Sequence, residues 1–159
     1  MDEKGILDEI RRRFPKDVVA TSSELCEETA VVRREALPGL MAFLKEKPWD
    51  FAMLLDLTCA DYPERPERFE MVYHLFSLAS NKRLRIKVPL SEREVVVASL
   101  ASLWKNADWL EREVFDMFGI RFEGHPNLQR LFMNEAFEGH PLRKDYPLRK
   151  RQPMIPLRK

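Results

Sequence analysis

Residues 51–88 read FAMLLDLTCADYPERPERFEMVYHLFSLASNKRLRIKV, and they decide the fold class. Three apolar-rich runs, 51–59, 69–79 and 84–88, are bounded by turn-forming residues and predict strands. Between the first two lies DYPERPER, two prolines among alternating charges, which reads as a loop. Between the second and third, Asn81-Lys82 supplies a hairpin signal. Three consecutive antiparallel strands are the economical reading.

Toward the N-terminus, Ile6, Leu7, Ile10 and Phe14 recur at helical spacing and predict a helix over 3–14, closed by Pro15. Segments 18–21 and 28–34 predict a strand pair turning near Ser22-Ser23. Pro38-Gly39 opens a short helix over 40–47. Toward the C-terminus, Ser91 and Glu94 make a capping box before Val95, Val96, Ala98, Leu100 and Leu103, which predicts a helix over 91–105. Asn106 breaks it, and a further helix over 108–118 places Leu110, Val114, Met117 and Phe118 on one stripe. Gly119 stands where a left-handed C-terminal cap is wanted. The expected class is α+β: a compact two-layer domain over 1–119, with a mixed or antiparallel sheet flanked by helices. An extended, Pro-rich basic C-terminal segment follows over 120–159.

The chain has 159 residues, enough for one domain with its own core. Its net charge of +1 hides an asymmetry. Seven Lys/Arg stand against Asp145 in 140–159, whereas the rest holds 20 basic and 25 acidic residues. A slightly acidic body therefore carries a basic tail, in which Pro-Leu-Arg-Lys occurs three times, at 141, 147 and 156. Cys26 and Cys59 are widely separated and lack a Cys-x-x-Cys partner, so neither a zinc site nor an iron–sulfur cluster assembles from this chain alone, and a reducing cytoplasmic setting is expected. No run of 18 apolar residues exists, and the charged start MDEKGILDEIRRRF is unlike a signal sequence. The expectation is a protein neither secreted nor spanning a membrane.

Specificity concentrates in residues 111–147, EREVFDMFGIRFEGHPNLQRLFMNEAFEGHPLRKDYP. Glu111, Glu113 and Asp116 beside His125 and His140 suggest metal ligands, yet Glu111 and Glu113 fall on different helix faces, and no Glu-x-x-His or His-x-x-x-His spacing exists. Arg112 is expected to pair with Asp116 at i, i+4. No Gly-x-Ser-x-Gly elbow, Cys–His neighbour or Gly-rich phosphate loop occurs. The basic tail raises nucleic-acid binding, but Leu142, Leu148 and Leu157, each beside an Arg-Lys pair, fit docking onto a protein with apolar pockets and an acidic rim, or partly onto anionic lipid. In the two Gly-His-Pro triplets, Gly124 and Gly139 permit left-handed or close-approach backbone and Pro126 and Pro141 extend the preceding residue. The imidazoles are expected to point outward, in turn and interface roles.

The ordered signature Glu111-Arg112-Glu113, Asp116, Phe118-Gly119, Phe122, Gly124-His125-Pro126 and Gly139-His140-Pro141-Leu142-Arg143-Lys144-Asp145-Tyr146-Pro147 closely resembles that of the 30 kDa subunit family of respiratory complex I, the C-type subunit of the bacterial NADH:quinone oxidoreductase. Asp56-Leu-Thr-Cys-Ala-Asp61-Tyr62-Pro63, Arg68-Phe69-Glu70 and Tyr73 are similar to the same family's central strands, so the resemblance covers 51–147. Gln129, Phe132 and Phe137 depart from the family pattern, where a basic residue, an aliphatic one and Trp are usual.

The resemblance implies a subunit of the peripheral arm that binds no flavin, cluster or metal and has no catalytic residue of its own. The complex is expected to use NADH, FMN, iron–sulfur clusters and a quinone. The implied partners are the large 49 kDa-type subunit and the iron–sulfur subunits, with membrane-arm subunits reached indirectly and no nucleic acid. The implied place is the cytoplasmic face of a bacterial inner membrane, held peripherally. Glu111, Arg112, Glu113, Asp116, Gly119, Gly124, His125, Pro126, Arg130, Gly139, His140, Pro141, Arg143, Lys144, Asp145 and Tyr146 match the family pattern and are candidate structural and interface residues. The tail's cations are expected to pair with carboxylates of the large subunit, and the tail to order only on docking. The same pattern also suits the equivalent subunit of a membrane-bound hydrogenase or of a complex fed by another donor. A nucleic-acid-binding module remains the reading of a different class.

Overall fold

The computed structural model describes residues 5–24 and 27–152. The first residues of the helix predicted from residue 3, Cys26, Leu157 and the third Pro-Leu-Arg-Lys repeat lie outside that range. The elements in chain order are α1 (Ile6–Arg13), β1 (Val18–Glu24), β2 (Glu27–Val32), a 3₁₀ turn (Arg34–Ala36), α2 (Leu37–Lys45), β3 (Met53–Asp61), β4 (Phe69–Ser77), β5 (Lys82–Leu90), β6 (Val96–Ala98), α3 (Ala107–Phe118) and β7 (Arg121–Glu123).

Five strands form a sheet ordered β1-β2-β5-β4-β3. Every neighbouring pair is antiparallel except β2 and β5, which are parallel, so the sheet is mixed. The 51–88 reading holds: β4 and β5 join through Asn81, which takes the left-handed conformation that such a turn favours. Along β4, Phe69, Met71, Tyr73 and Leu75 are buried and alternate with partly exposed Glu70, Val72, His74 and Phe76, the period-2 pattern of a sheet with one covered face. That face meets Ile6 and Ile10 of α1, Leu37, Leu40, Met41 and Leu44 of α2, and Val114, Met117 and Phe118 of α3 in one core. The result is a two-layer α+β domain.

The helix predicted over 91–105 does not form. Ser91 and Glu94 make a backbone turn, with Glu94 N–H donating to the Ser91 carbonyl at 3.1 Å, while the Glu94 carboxylate pairs with Arg34 instead of capping. The β-branched run Val95-Val96-Val97 favours extended backbone, and β6 pairs in parallel with β7. Among the described residues, 124–152 contain no helix or strand.

Candidate functional site

α3 carries two fully buried acidic side chains, Glu111 in its second turn and Asp116 near its C-terminal end. Glu111 Oε1 accepts from Leu100 N–H and Oε2 from the Ser99 hydroxyl, both at 2.6 Å. Glu111 therefore ties down the non-helical stretch after β6. Burial pushes its carboxyl up, against the opposing pull of those two donors and His125.

His125 sits beside it with its side chain fully buried. Its Nδ1 accepts from Asn127 N–H at 3.0 Å, which puts the ring proton on Nε2. Nε2–H then donates to the Asp108 carbonyl at 3.1 Å, leaving the Asp108 carboxylate at 3.3 Å and Glu111 at 3.9 Å as longer electrostatic contacts. The imidazole points inward, not outward as expected from the Gly-His-Pro triplet. Gly124 turns the chain at φ +80° and Pro126 is exposed.

At the far end of α3, Asp116 organises the following loop. Oδ2 accepts from three successive amides, Leu131 at 3.0 Å and Phe132 and Met133 at 2.8 Å, and Oδ1 accepts from Arg130 Nη1 at 2.8 Å. Burial alone would raise this carboxyl, but the four donors overcome it and hold it below the usual range. Arg112 does not pair with Asp116. Its guanidinium donates to the carbonyls of Gln129 and Arg130 and stacks over Trp109, because Asp116 turns to the buried side. Glu113 is exposed.

The second Gly-His-Pro triplet closes the helix. Gly119 N–H bonds the Phe115 carbonyl at φ +76°, leaving the carbonyls of 116, 117 and 118 without helical donors. His140 Nδ1–H donates to Asp116 O at 3.0 Å, Leu142 N–H to Met117 O at 3.1 Å and Arg143 Nε–H to Phe118 O at 2.5 Å. A Cβ on Gly119 would lie 2.6 Å from His140 Nε2 and 2.9 Å from Arg143 Nη2. His140 is thus also turned inward, and burial lowers its basicity, with Arg143 and Arg130 adding to the effect.

Residues 139–147, a strap over the end of α3, then cross to the β3–β4 loop. Arg68 grips Asp61 at two points, 2.8 and 3.0 Å, and also reaches Glu92 at 2.7 Å and Asp145 at 3.0 Å. Asp61 accepts in addition from Lys144 N–H at 2.8 Å. Farther on, Tyr146 stacks on Phe137 and covers Gly139, whose carbonyl accepts from Arg130 at 3.1 Å. Pro141 is partly buried between these contacts. Residues 130–146 are therefore bound to the chain's own body, in contrast to the expected ordering on docking. Composition hides this, since the contacts are specific polar ones. The Asp61–Arg68–Asp145 cluster is absent from the sequence-based expectations; its signal is Asp61 and Arg68 flanking the loop that joins two strands.

What faces outward from α3 and the segment after it includes apolar and cationic side chains, with the carboxylates of Glu113, Glu135 and Glu138 also exposed. Trp109, Phe132, Leu142 and Leu148 are exposed large apolar side chains, with Lys144, Arg149 and Arg151 beside the last two in sequence. Among the described residues no group of three metal-ligating side chains converges, and no helix is long and apolar enough to cross a membrane.

Residues 30–152 match the family described as respiratory-chain NADH dehydrogenase, 30 Kd subunit. The chain is 46% identical over 139 residues to the C-type subunit of the NADH-quinone oxidoreductase of Dinoroseobacter shibae, covering 87% of this chain and 64% of that protein. It is 41% identical over 148 residues to the corresponding NADH-quinone oxidoreductase subunit of Trichlorobacter lovleyi, covering 92% of this chain and 91% of that one. The chain thus spans less than two thirds of the first relative's length and nearly all of the second's. Among solved structures, a trypsin-resistant fragment (1-134) of Nqo5 superposes with a TM-score of 0.69 at 34% identity, over 77% of this chain and 96% of that one. A chain of the archaeal membrane-bound sulfane sulfur reductase complex shares the fold alone, with a TM-score of 0.73 at 21% identity over 90% of this chain and 84% of that one.

Proposed function

This chain belongs to the family of 30 kDa subunits of respiratory-chain NADH dehydrogenases, and on that premise we propose that it is a structural subunit of the peripheral arm of an NADH:quinone oxidoreductase. It packs against the large 49 kDa-type subunit and the iron–sulfur subunits, and contacts the membrane arm through them on the cytoplasmic side. It binds no cofactor itself. NADH, FMN, the clusters and the quinone belong to the assembled enzyme, and the isolated chain has no activity.

The observation that carries this reading is the strap docked on α3, which leaves Trp109, Phe132 and Leu142 outward on a preformed support. Exposed aromatics on a rigid base are what a partner surface needs, because little ordering is left to oppose association. A subunit that holds its neighbours in place affects rate indirectly: misplacing a reacting centre by about 1 Å costs on the order of 10²-fold. Arg143 serves within the chain, so the expected partner pairing falls to Lys144, whose side chain is exposed.

Purification of the full chain from its native membranes in mild detergent is expected to recover a large subunit, iron–sulfur subunits and NADH-dependent quinone reduction. Lys144→Glu should reduce that recovery while leaving the fold unchanged. Recovery of the chain alone, or with nucleic acid, would refute the reading.

A further inference from the structure

The two edges of the five-stranded sheet are treated differently. Beside β3, Trp104 Nε1–H donates to Ala52 O at 3.1 Å and Asn106 Nδ2 to Leu54 O at 2.7 Å, a bulge falls between Leu54 and Asp56, and α3 packs against the strand. These are the devices by which proteins blunt a free edge. β1, at the other edge, reads VVATSSE, without Pro, Lys or Arg. Its one bulge lies between Val18 and Ala20 and leaves the rest of the strand regular.

The pairing tells which β1 groups face away from β2. Arg33 N–H donates to Asp17 O at 2.8 Å, so that pair is a hydrogen-bonded one. Along β2 the alternation then makes Val32 non-bonded to β1, Val31 bonded, Ala30 non-bonded, Thr29 bonded and Glu28 non-bonded. Their partners Thr21 (to Ala30) and Ser23 (to Glu28) therefore direct both N–H and C=O outward. Val18 obeys the same rule: its N–H turns away from β2 and bonds Phe14 O at 3.1 Å. No described residue bonds the outward groups of Thr21 or Ser23. Val19 is 60% exposed beside them.

A groove of about 290 Å³ runs along the base of this edge, lined by Arg11, Pro15, Val18, Val19, Ala20 and Thr21. Arg11 is an exposed cation without a described ion partner. A mostly apolar lining that includes one cation is complementary to an extended segment carrying an apolar side chain and a carboxylate.

We propose that the β1 edge receives an extended, acidic-ended segment of a partner protein as a sixth strand, hydrogen-bonded to Thr21 and Ser23, with its carboxylate at Arg11. This surface is separate from the strap surface of the proposed function, and the segment belongs to a subunit other than the large one.

Amide exchange is the direct readout, on the full chain alone and in the assembly recovered from native membranes. The Thr21 and Ser23 amides are expected to exchange fast in the free chain and about tenfold or more slower in the assembly. Thr21→Pro removes an outward donor and leaves the β2 ladder intact, a placement tolerated on an edge strand. It and Arg11→Glu should each fold normally by circular dichroism yet lose the partner that protects β1, while the large subunit still co-purifies through the strap. An assembly with fast-exchanging β1 amides overturns the proposal and leaves the proposed function standing. Slow exchange in the free chain, or a dimer of it abolished by Thr21→Pro, assigns the edge to the chain itself and also overturns it. Recovery of the chain alone removes both readings.

Discussion

Asp145 Oδ2 lies 3.0 Å from Arg68 Nη1, joining the C-terminal strap to the loop between β3 and β4 across 77 residues of sequence. Arg68 is almost fully buried, and its two-point grip on fully buried Asp61 makes it the centre of a cluster with three carboxylates. Arg68→Ala should leave Asp61 buried with only the Lys144 amide as donor. The expected loss is about 3 kcal/mol, the low end for a buried pair that loses one partner, since Glu92 and Asp145 reach water. Chemical denaturation measures it. Arg68→Lys should recover little, because an ammonium cannot reproduce the two-point geometry.

Gly119 and Gly124 both have positive φ, but only one is crowded. Gly119→Ala strains the backbone and drives a methyl into His140 and Arg143, so the strap must leave the helix end. Gly124→Ala meets nothing within 4 Å and should cost only the left-handed conformation, on the order of 1–2 kcal/mol. Limited proteolysis should therefore cut 139–147 in the Gly119 variant and spare it in the Gly124 variant. Equal resistance in both would mean that the strap does not depend on close approach at Gly119.

The strands of 51–88 and the Gly119 cap are legible in the sequence because their signals are local: turn residues between apolar runs, and a glycine just past a periodic helix. The stretch 91–105 is not, since the local capping box and helical period compete with two distant partners. β7 supplies the parallel strand, and Glu111 captures Ser99 and Leu100. The histidines depart from expectation for a related reason. A Gly-His-Pro triplet fixes backbone shape, whereas ring direction is decided by Asn127 and Asp108 for His125 and by the Asp116 carbonyl for His140. Those groups lie on α3 or across a turn, and no spacing announces them.

Acid should release the strap before it melts the sheet. Asp116, Asp61 and Asp145 are all held below the usual carboxylate range, so their stabilisation is present above the unfolded value near pH 4 and is lost as pH falls through the lower folded values. His140 is also lowered, which makes its contribution complete above about pH 6.5 and lost as pH drops through its folded value. Glu111 has the opposite sign: its carboxyl is raised, so acidification relieves a cost. Denaturation midpoints from pH 7 down to about 2 should fall in two stages, and Asp116→Asn should flatten the lower stage. A profile unchanged by that substitution would remove Asp116 from the acid response.

Tyr73 carries the one phenol that stability would do without. Its ring fills the core on β4, but its hydroxyl is buried with no hydrogen-bond partner among the described residues. Burial pushes its ionisation up, and nearby Glu111 and Cys59 push in the same direction, so the group stays a neutral, desolvated O–H. A buried hydroxyl without a partner costs about 1–3 kcal/mol relative to water. Tyr73→Phe keeps the ring and removes that cost, so it should raise stability by about 1 kcal/mol, some of the gain being offset by the small void left behind. Thermal and denaturant unfolding of the two chains measure the difference. A loss of stability would show that the hydroxyl holds a partner in solution, and a titration of Glu111 displaced by the same substitution would identify it.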